Sequence, residues 1–312
     1  MRRAPVPDRQ RWRTLGHVHV AAGEVPGHAT HASYPTPLRM PDGSLRVFFS
    51  PRDEKGRSGI WSLDLALWPD GFEKLAPPRG PWLEAGPAGA FDDAGASVGW
   101  VGWHPDGGLD CWFLGWSLGR SVPFRTAIGR ARAAPGEDRL HRTSFAPALD
   151  RDATDPLSLG YPWLARDGDG LSIWYGTHQC PPRDGRAIDH PVRRAWSRDD
   201  GATWVRDARL ALDHAYAGEW ALSRPCILRD AAGWHAWYCR RLDAYALGYA
   251  HSADGSTWLR DDGAVAFTTP EAPWEQGCRT YPAVFDHGGH RYMLYNGVGY
   301  GRTGFGIAVL EG

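Results

Sequence analysis

The sequence predicts an all-β fold: a single five-bladed β-propeller with four-stranded blades, its ring closed by an N-terminal strand joining the last blade. Three observations predict it. Short β-type segments recur at a near-constant interval, the signature of a repeat architecture. Each is flanked by Asp- and Gly-containing turns of the hairpin kind. The chain of 312 residues also carries 17 Trp and 39 Gly, which suits short strands and tight turns better than helices.

The repeating segments are LRVFFSPR (45–52), LDCWFLGW (109–116), LSIWYGTH (171–178), WHAWYCRR (234–241) and RYMLYNG (291–297). Their central apolar pairs begin at Phe48, Trp112, Trp174, Trp237 and Leu294, in steps of 64, 62, 63 and 57 residues. A second strand and a turn precede each: MPDG (40–43), HPDGG (104–108), RDGDG (166–170), RDAAG (229–233) and DHGG (286–289). A third strand with small residues follows each: GIWSLDLA (59–66), RTAIGRAR (125–132), VRRAWSRD (192–199), ALGYAHSAD (246–254) and GFGIAVLE (304–311). Two of these run into similar turns, SRDDGATW (197–204) and SADGSTW (252–258), where the aspartates are expected to hold the turn through side-chain to backbone bonds.

A unit of about 60 residues with three or four strands is a propeller blade. The blades fall at roughly 30–80, 90–150, 155–213, 218–265 and 274–312 plus 11–20, within one domain spanning 1–312. The fifth unit has three strands of its own, so RWRTLGHVHV (11–20) is expected to supply its outer strand.

Bulk properties exclude several function classes. The net charge of −1 argues against a general nucleic-acid or anionic-membrane surface. No apolar run approaches the roughly 20 residues that a bilayer requires. The N-terminal MRRAPVPDRQRW lacks the apolar core of a signal peptide. Cys111, Cys180, Cys226, Cys239 and Cys278 are an odd set with no C-x-x-C pair, so free thiols in a reducing cytoplasm are expected. No Gly-rich phosphate loop, H-E-x-x-H or G-x-S-x-G is present, and no cofactor is expected. An ion in the channel, held by carbonyl and carboxylate oxygens, would leave no spacing signature.

Topology turns these positions into a candidate site. In an antiparallel pair, the start of the innermost strand and the end of the next lie on one face of the ring. The first set holds His31, Ser33, Tyr34, Asp92, Asp93, Asp155, Glu219, Arg224, Glu275, Arg279 and Tyr281. The second holds Arg52, Trp116, His178, Arg240, Arg241 and Asn296. Acids in a partly desolvated funnel have the environment that separates pKa values into acid and base roles. Trp116 and Tyr34 are candidate platforms for a sugar ring. The arginines suit a carboxylate or phosphate, so the expected partner is a small sugar or glycan carrying negative charge.

At these residues the chain resembles the five-bladed glycoside hydrolase superfamily of arabinanases, xylosidases, invertases and levansucrases. It resembles in particular uncharacterised bacterial single-domain members associated with surface-polysaccharide genes. The similarity covers nearly the whole chain and is strongest in ALGYAHSADGSTWLRDD, TYPAVFDHGGHRYMLYNG and GRTGFGIAVLE. That superfamily uses three carboxylates near the starts of inner strands. The resemblance therefore implies a stabilising role for Asp155, in Thr154-Asp155-Pro156, and a general-acid role for Glu219. The first blade departs from the pattern, because THASYPTPL (30–38) has no carboxylate. Asp92 or Asp93 would then stand in as the base. The resulting expectation is glycosidase-like hydrolysis at the channel mouth. Two alternatives accompany it: a phosphorylase or transferase using phosphate or an activated sugar, and a non-catalytic sugar-binding propeller.

Overall fold

The computed structural model describes residues 9–21, 23, 25–167, 170–179 and 189–311. Cys180, the centre of the turn RDGDG (Gly168 and Asp169) and the N-terminal MRRAPVPD lie outside the described residues. The first strand, β1 (Gln10–His19), belongs to the last sheet. Blade one comprises β2 (Thr30–Arg39), β3 (Leu45–Arg52), β4 (Ile60–Trp68) and β5 (Gly71–Lys74), with β6 (Arg79–Leu83) also pairing with β4. Blade two is β7 (Gly95–Trp103), β8 (Leu109–Leu118), β9 (Phe124–Ala133) and β10 (His141–Arg142). Blade three is β11 (Ser158–Asp167), β12 (Gly170–His178), β13 (Val192–Ser197) and β14 (Val205–Leu212). Blade four is β15 (Ala221–Asp230), β16 (Gly233–Arg241), β17 (Tyr245–Ser252) and β18 (Leu259–Arg260). The chain then adds β19 (Val265–Phe267), β20 (Thr280–His287), β21 (His290–Asn296) and β22 (Phe305–Glu311).

The fifth sheet runs β19-β1-β22-β21-β20. Strand β1 pairs antiparallel with β22, from Arg11 opposite Glu311 to His19 opposite Phe305. The N-terminal strand thus closes the ring. The sheet gains one further strand that the repeat did not reveal: β19 leaves the fourth unit and lies parallel to β1. Trp12, fully buried on β1, is part of the core that this closure completes.

The central aromatic pairs explain why the ring must close. Neighbouring residues on a strand point to opposite faces, so each pair fills the gaps on both sides of its blade. Trp112, Trp174 and Trp237 are all essentially inaccessible. Each meets the next blade: Trp174 donates from Nε1 to the Gly255 carbonyl at 3.2 Å, and Trp237 to Gln10 Oε1 at 2.7 Å. Gly201 sits against Trp112, and a Cβ there would come within 2.7 Å of the indole, so the turn in SRDDGATW requires glycine. Asp199 and Asp254 hold those two turns by accepting backbone N–H bonds from Thr203 and Thr257 at 2.9 and 2.8 Å.

The inner strands β2, β7, β11, β15 and β20 surround the axis, and each pairs with its neighbour in the blade through a bulge. In four blades the bulge places a residue of positive φ directly before proline: Tyr34, Tyr161, Arg224 and Tyr281. The side chains turn into the channel and fill it. Tyr281 packs on Tyr34 at 4.8 Å between ring centroids, and Tyr34 on Tyr161 at 5.7 Å.

Trp12→Ala should cost about 3–5 kcal/mol, as expected for a large side chain removed from a packed core. Denaturant unfolding of the variant against the native chain measures it.

Candidate functional site

The ends of the second strands deliver one charged or aromatic side chain each to the same mouth of the ring. Arg52 ends β3, Trp116 lies two residues before the end of β8, His178 ends β12 and Arg241 ends β16. With Tyr34 they line a cavity of about 370 Å³. Tyr161, Tyr245, Tyr300, Trp220, His190, Leu114 and the hydroxyls of Ser33, Ser50, Ser58, Ser97 and Thr126 continue its wall, and Leu118, Pro123 and Phe124 form its rim.

Aromatic planes hold both arginines. The Arg241 guanidinium lies 4.6 Å from the ring centroids of Trp220 and of Tyr245, and its Nη1 donates to the Tyr300 hydroxyl at 3.3 Å. Arg52 lies 5.6 Å from the Trp116 ring. Trp116 is fixed in turn by a 2.8 Å bond from Nε1 to Ser58 Oγ, which pairs with Ser97 Oγ at 2.9 Å. Trp220 is tied to the Leu242 carbonyl at 2.8 Å. Among the described residues neither arginine has an acidic partner, and none that line the cavity carries a carboxylate.

The floor is also positive. Arg224, 1% exposed, donates to the carbonyls of Gly99 at 2.7 Å and of Tyr34 and Pro35 at 3.2 Å, and to Thr36 Oγ1 at 2.7 Å. Burial among neutral acceptors lowers its pKa to about 10, still charged at neutral pH. It lies 5.6 Å from the Tyr34 ring, on which the cavity rests. The histidines, by contrast, are neutral. Burial, and then the charges of Arg52 and Arg302, lower His31 to about 4. Burial also lowers His190 to about 4, opposed by its bond to the Leu222 carbonyl and aided by the charges of His214 and Arg241. His178 lies well below its ordinary value, through burial and then through His190, whose ring is 5.0 Å away. Because His190 Nδ1 must donate to the Leu222 carbonyl at 3.0 Å, its Nε2 is an acceptor. Three buried polar atoms of the cavity residues, His178 Nδ1, Thr126 Oγ1 and Arg241 Nε, have no hydrogen-bond partner among the described residues.

The acids expected as catalysts lie elsewhere. Asp92, Asp155 and Glu219 recur at the same place in their blades, but each carboxylate turns into the blade and meets an arginine there. Asp92 accepts from Arg142 of β10 at 2.7 Å, and burial nonetheless raises its pKa. Asp155 accepts from Arg193 and Arg206 at 2.9 and 2.7 Å, and from Tyr175 at 2.6 Å. Glu219 accepts from Arg260 of β18 at 2.7 Å. Burial opposes ionisation of Glu219, but that guanidinium and the Ala215 N–H hold it below the usual range. Glu275 follows the pattern with Arg279 at 2.8 Å and Tyr295 at 2.6 Å. Asp93 caps its own loop by accepting from the Gly89 N–H at 3.0 Å. The physical reason is desolvation: a buried carboxylate stays charged only beside a matched cation, and the outer strands of the same blade supply one to Asp92, Asp155 and Glu219.

Other expected binding residues are engaged in the framework. Arg279 belongs to Glu275, and Arg240 lies 3.9 Å from Asp262 and 5.0 Å from the Tyr216 ring. Asn296 accepts from the Tyr34 N–H at 2.9 Å and donates to the carbonyls of Ala32 and Gly304, stitching the last blade to the first. Tyr281 is buried within the channel, behind Tyr34 and Tyr161. The structure adds Tyr161, His190, Tyr245, Tyr300 and Trp220 to the wall. Tyr161 had a legible signal, because Tyr-Pro or Arg-Pro recurs at 34–35, 161–162, 224–225 and 281–282. Tyr300 and His190 had none. No cluster of three or more His, Cys, Asp or Glu able to hold a metal occurs among the described residues.

No family model matches the chain. Two proteins of Mycobacterium tuberculosis match it from end to end. Uncharacterized protein MT1551, of strain CDC 1551 / Oshkosh, is 39% identical over 305 residues, covering 96% of this chain and 99% of that protein. Uncharacterized protein Rv1502, of strain ATCC 25618 / H37Rv, is 38% identical over 305 residues with the same coverage. The chain belongs to their family. Solved structures share the fold of this family member. One described as "Glycoside hydrolase" superposes with a TM-score of 0.72 at 16% identity, over 95% of this chain and 90% of that one. A thermostable family-43 glycoside hydrolase does so with 0.62 and 13%, over 94% and 91%. A third is described as "The GH130 family of mannoside phosphorylases contains glycoside hydrolases that target beta-1,2 mannosidic linkages in Candida mannan". It gives 0.63 at 14%, over 90% and 84%. At these identities the likeness is one of fold. No helix among the described residues is long and apolar enough to cross a membrane.

Glu219→Ala should destabilise the protein by about 3–5 kcal/mol, because Arg260 is left buried with one partner fewer; denaturant unfolding of the two forms measures it. The pH dependence has a definite sign. His190 titrates near 6.5 when unfolded and near 4 when folded, so the folded state binds fewer protons between those values. Its contribution is complete above pH 6.5 and falls as the pH drops toward 4. Between pH 7.5 and 4.5 this amounts to about 2–3 kcal/mol. His190→Gln should show a correspondingly shallower loss of thermal stability over that interval.

Proposed function

We propose that the protein processes a glycoside carrying a negatively charged group, bound at the cavity mouth. One observation carries the reading: Arg52 and Arg241, from different blades, enter an aromatic cavity with no acidic partner among the described residues. By contrast, Arg130, Arg142, Arg193, Arg206, Arg260 and Arg291 all end on carboxylates. An unneutralised, half-desolvated guanidinium is costly, and an incoming carboxylate or phosphate removes that cost with forked hydrogen bonds. The neutral histidines do not compete for the anion. Arg224 adds positive potential from beneath. The indole faces of Trp116 and Trp220 suit the C–H face of a sugar ring, while His178 Nδ1 and Thr126 Oγ1 offer buried partners for its hydroxyls. The likeness of fold to glycoside hydrolases and to a mannoside phosphorylase family supports glycoside chemistry as the class.

Within that class, transfer to or from a phosphate fits the cavity better than hydrolysis by paired carboxylates. Glycoside hydrolysis most commonly uses two acids flanking the scissile bond, and the described wall supplies none. The arginines would instead hold the anionic co-substrate. The same absence favours a second reading, recognition of an anionic sugar without turnover.

Titration calorimetry with glucuronate, glucose 1-phosphate and glucose tests the proposal. The two anions should bind saturably and glucose at least about tenfold more weakly, the effect of one charge-assisted hydrogen bond or more. Arg241→Ala and Arg52→Ala should each weaken the anions by a similar factor and leave glucose unaffected. Equal affinity for all three sugars would overturn it. Product analysis on uronide glycosides, with and without added phosphate, separates turnover from binding alone.

A further inference from the structure

The rim of the cavity carries an apolar surface that the charged interior does not explain. Leu118, at the end of β8, is 75% exposed, the highest value for a large hydrophobic side chain among the described residues. Phe124, at the start of β9, is 38% exposed. Both line the cavity together with Pro123, so they stand side by side at its edge. The hairpin they flank, LGRSVPFR (118–125), is held by the pairing of Leu118 with Phe124. Two exposed arginines, Arg120 and Arg125, belong to the same tip. Isolated exposed apolar residues are ordinary, but a contiguous apolar edge on a binding cavity marks contact with an apolar part of the ligand.

We infer that the bound saccharide carries an apolar alkyl or acyl chain beside its charged group, and that this chain lies along the Leu118–Pro123–Phe124 lip. The inference rests on the anionic-sugar reading and specifies its substrate class as a glycolipid headgroup. Continuity decides the occupant: the lip opens directly onto Trp116 and the cavity that holds Arg52 and Arg241. Charge agrees with it, since Arg120 and Arg125 flank the apolar strip as they would the charged link between sugar and chain.

A chain-length series on the full protein tests this. Methyl, butyl and octyl glucuronides, each below its micelle concentration, are compared by calorimetry. The octyl compound should bind about tenfold or more tighter than the methyl one, the effect of burying two or more methylenes. In Leu118→Ser/Phe124→Ser the octyl-to-methyl ratio should fall to about twofold or less. Methyl glucuronide that binds while the octyl compound gains nothing overturns the lip proposal and leaves the anionic site standing. Failure of every glucuronide to bind, whatever its chain, defeats the underlying reading as well. Binding to phosphatidylglycerol vesicles without any glucuronide, lost in the double variant, would assign the lip to a membrane surface and also overturn the proposal.

Discussion

Each blade presents aromatic side chains that only its neighbour can bury. Trp112 is covered by the turn at Gly201, Trp174 by the turn at Gly255, and Trp237 by Gln10 at the N-terminal end of the chain. A sheet with two hydrophobic faces and one neighbour leaves the other face in water, so closing the ring completes the burial. Everything else follows from that closure. It determines where the N-terminal strand must go, which strand ends share a mouth and which side chains crowd the axis.

A second constraint is electrostatic. The inner-strand loops end in acids, and closing the ring desolvates them. Arginines on the outer strands of the same blade neutralise Asp92, Asp155 and Glu219, and tyrosines of the central pairs add bonds to Asp155 and Glu275. The recurring acid is therefore an anchor that ties the entry of blades two, three and four to their peripheries. Its neutralisation inside the blade leaves the channel mouth to unpaired guanidinium groups, so charge is partitioned between framework and cavity.

The channel shows how one backbone device serves both purposes. A bulge before proline turns Tyr34, Tyr161, Arg224 and Tyr281 inward, in a backbone region that non-glycine residues occupy only when packing over-determines it. Three rings fill the axis, and Arg224 donates from both terminal nitrogens to carbonyls that the bulges expose. The plug gives the cavity a floor of packed aromatic rings. A positive charge below that floor and two at its wall define the character of what it can hold.

Periodicity by itself determined the architecture. The aromatic pairs and Asp-Gly turns recur because every blade solves the same packing problem, so the blade count, the antiparallel order and the strand ends at one mouth were readable. Arg52, Trp116, His178 and Arg241 were found at the cavity for that reason. Only the tertiary structure decided the partners of each charge. Asp155 and Arg206 are 51 residues apart, and Glu219 and Arg260 are 41 apart. No local pattern reveals that such a carboxylate turns into its blade rather than toward the axis. Tyr300 and His190 reach the wall from irregular segments that no repeat predicts. Strand periodicity states which face a residue occupies; which ion it meets there depends on three-dimensional proximity, and a linear pattern does not encode that.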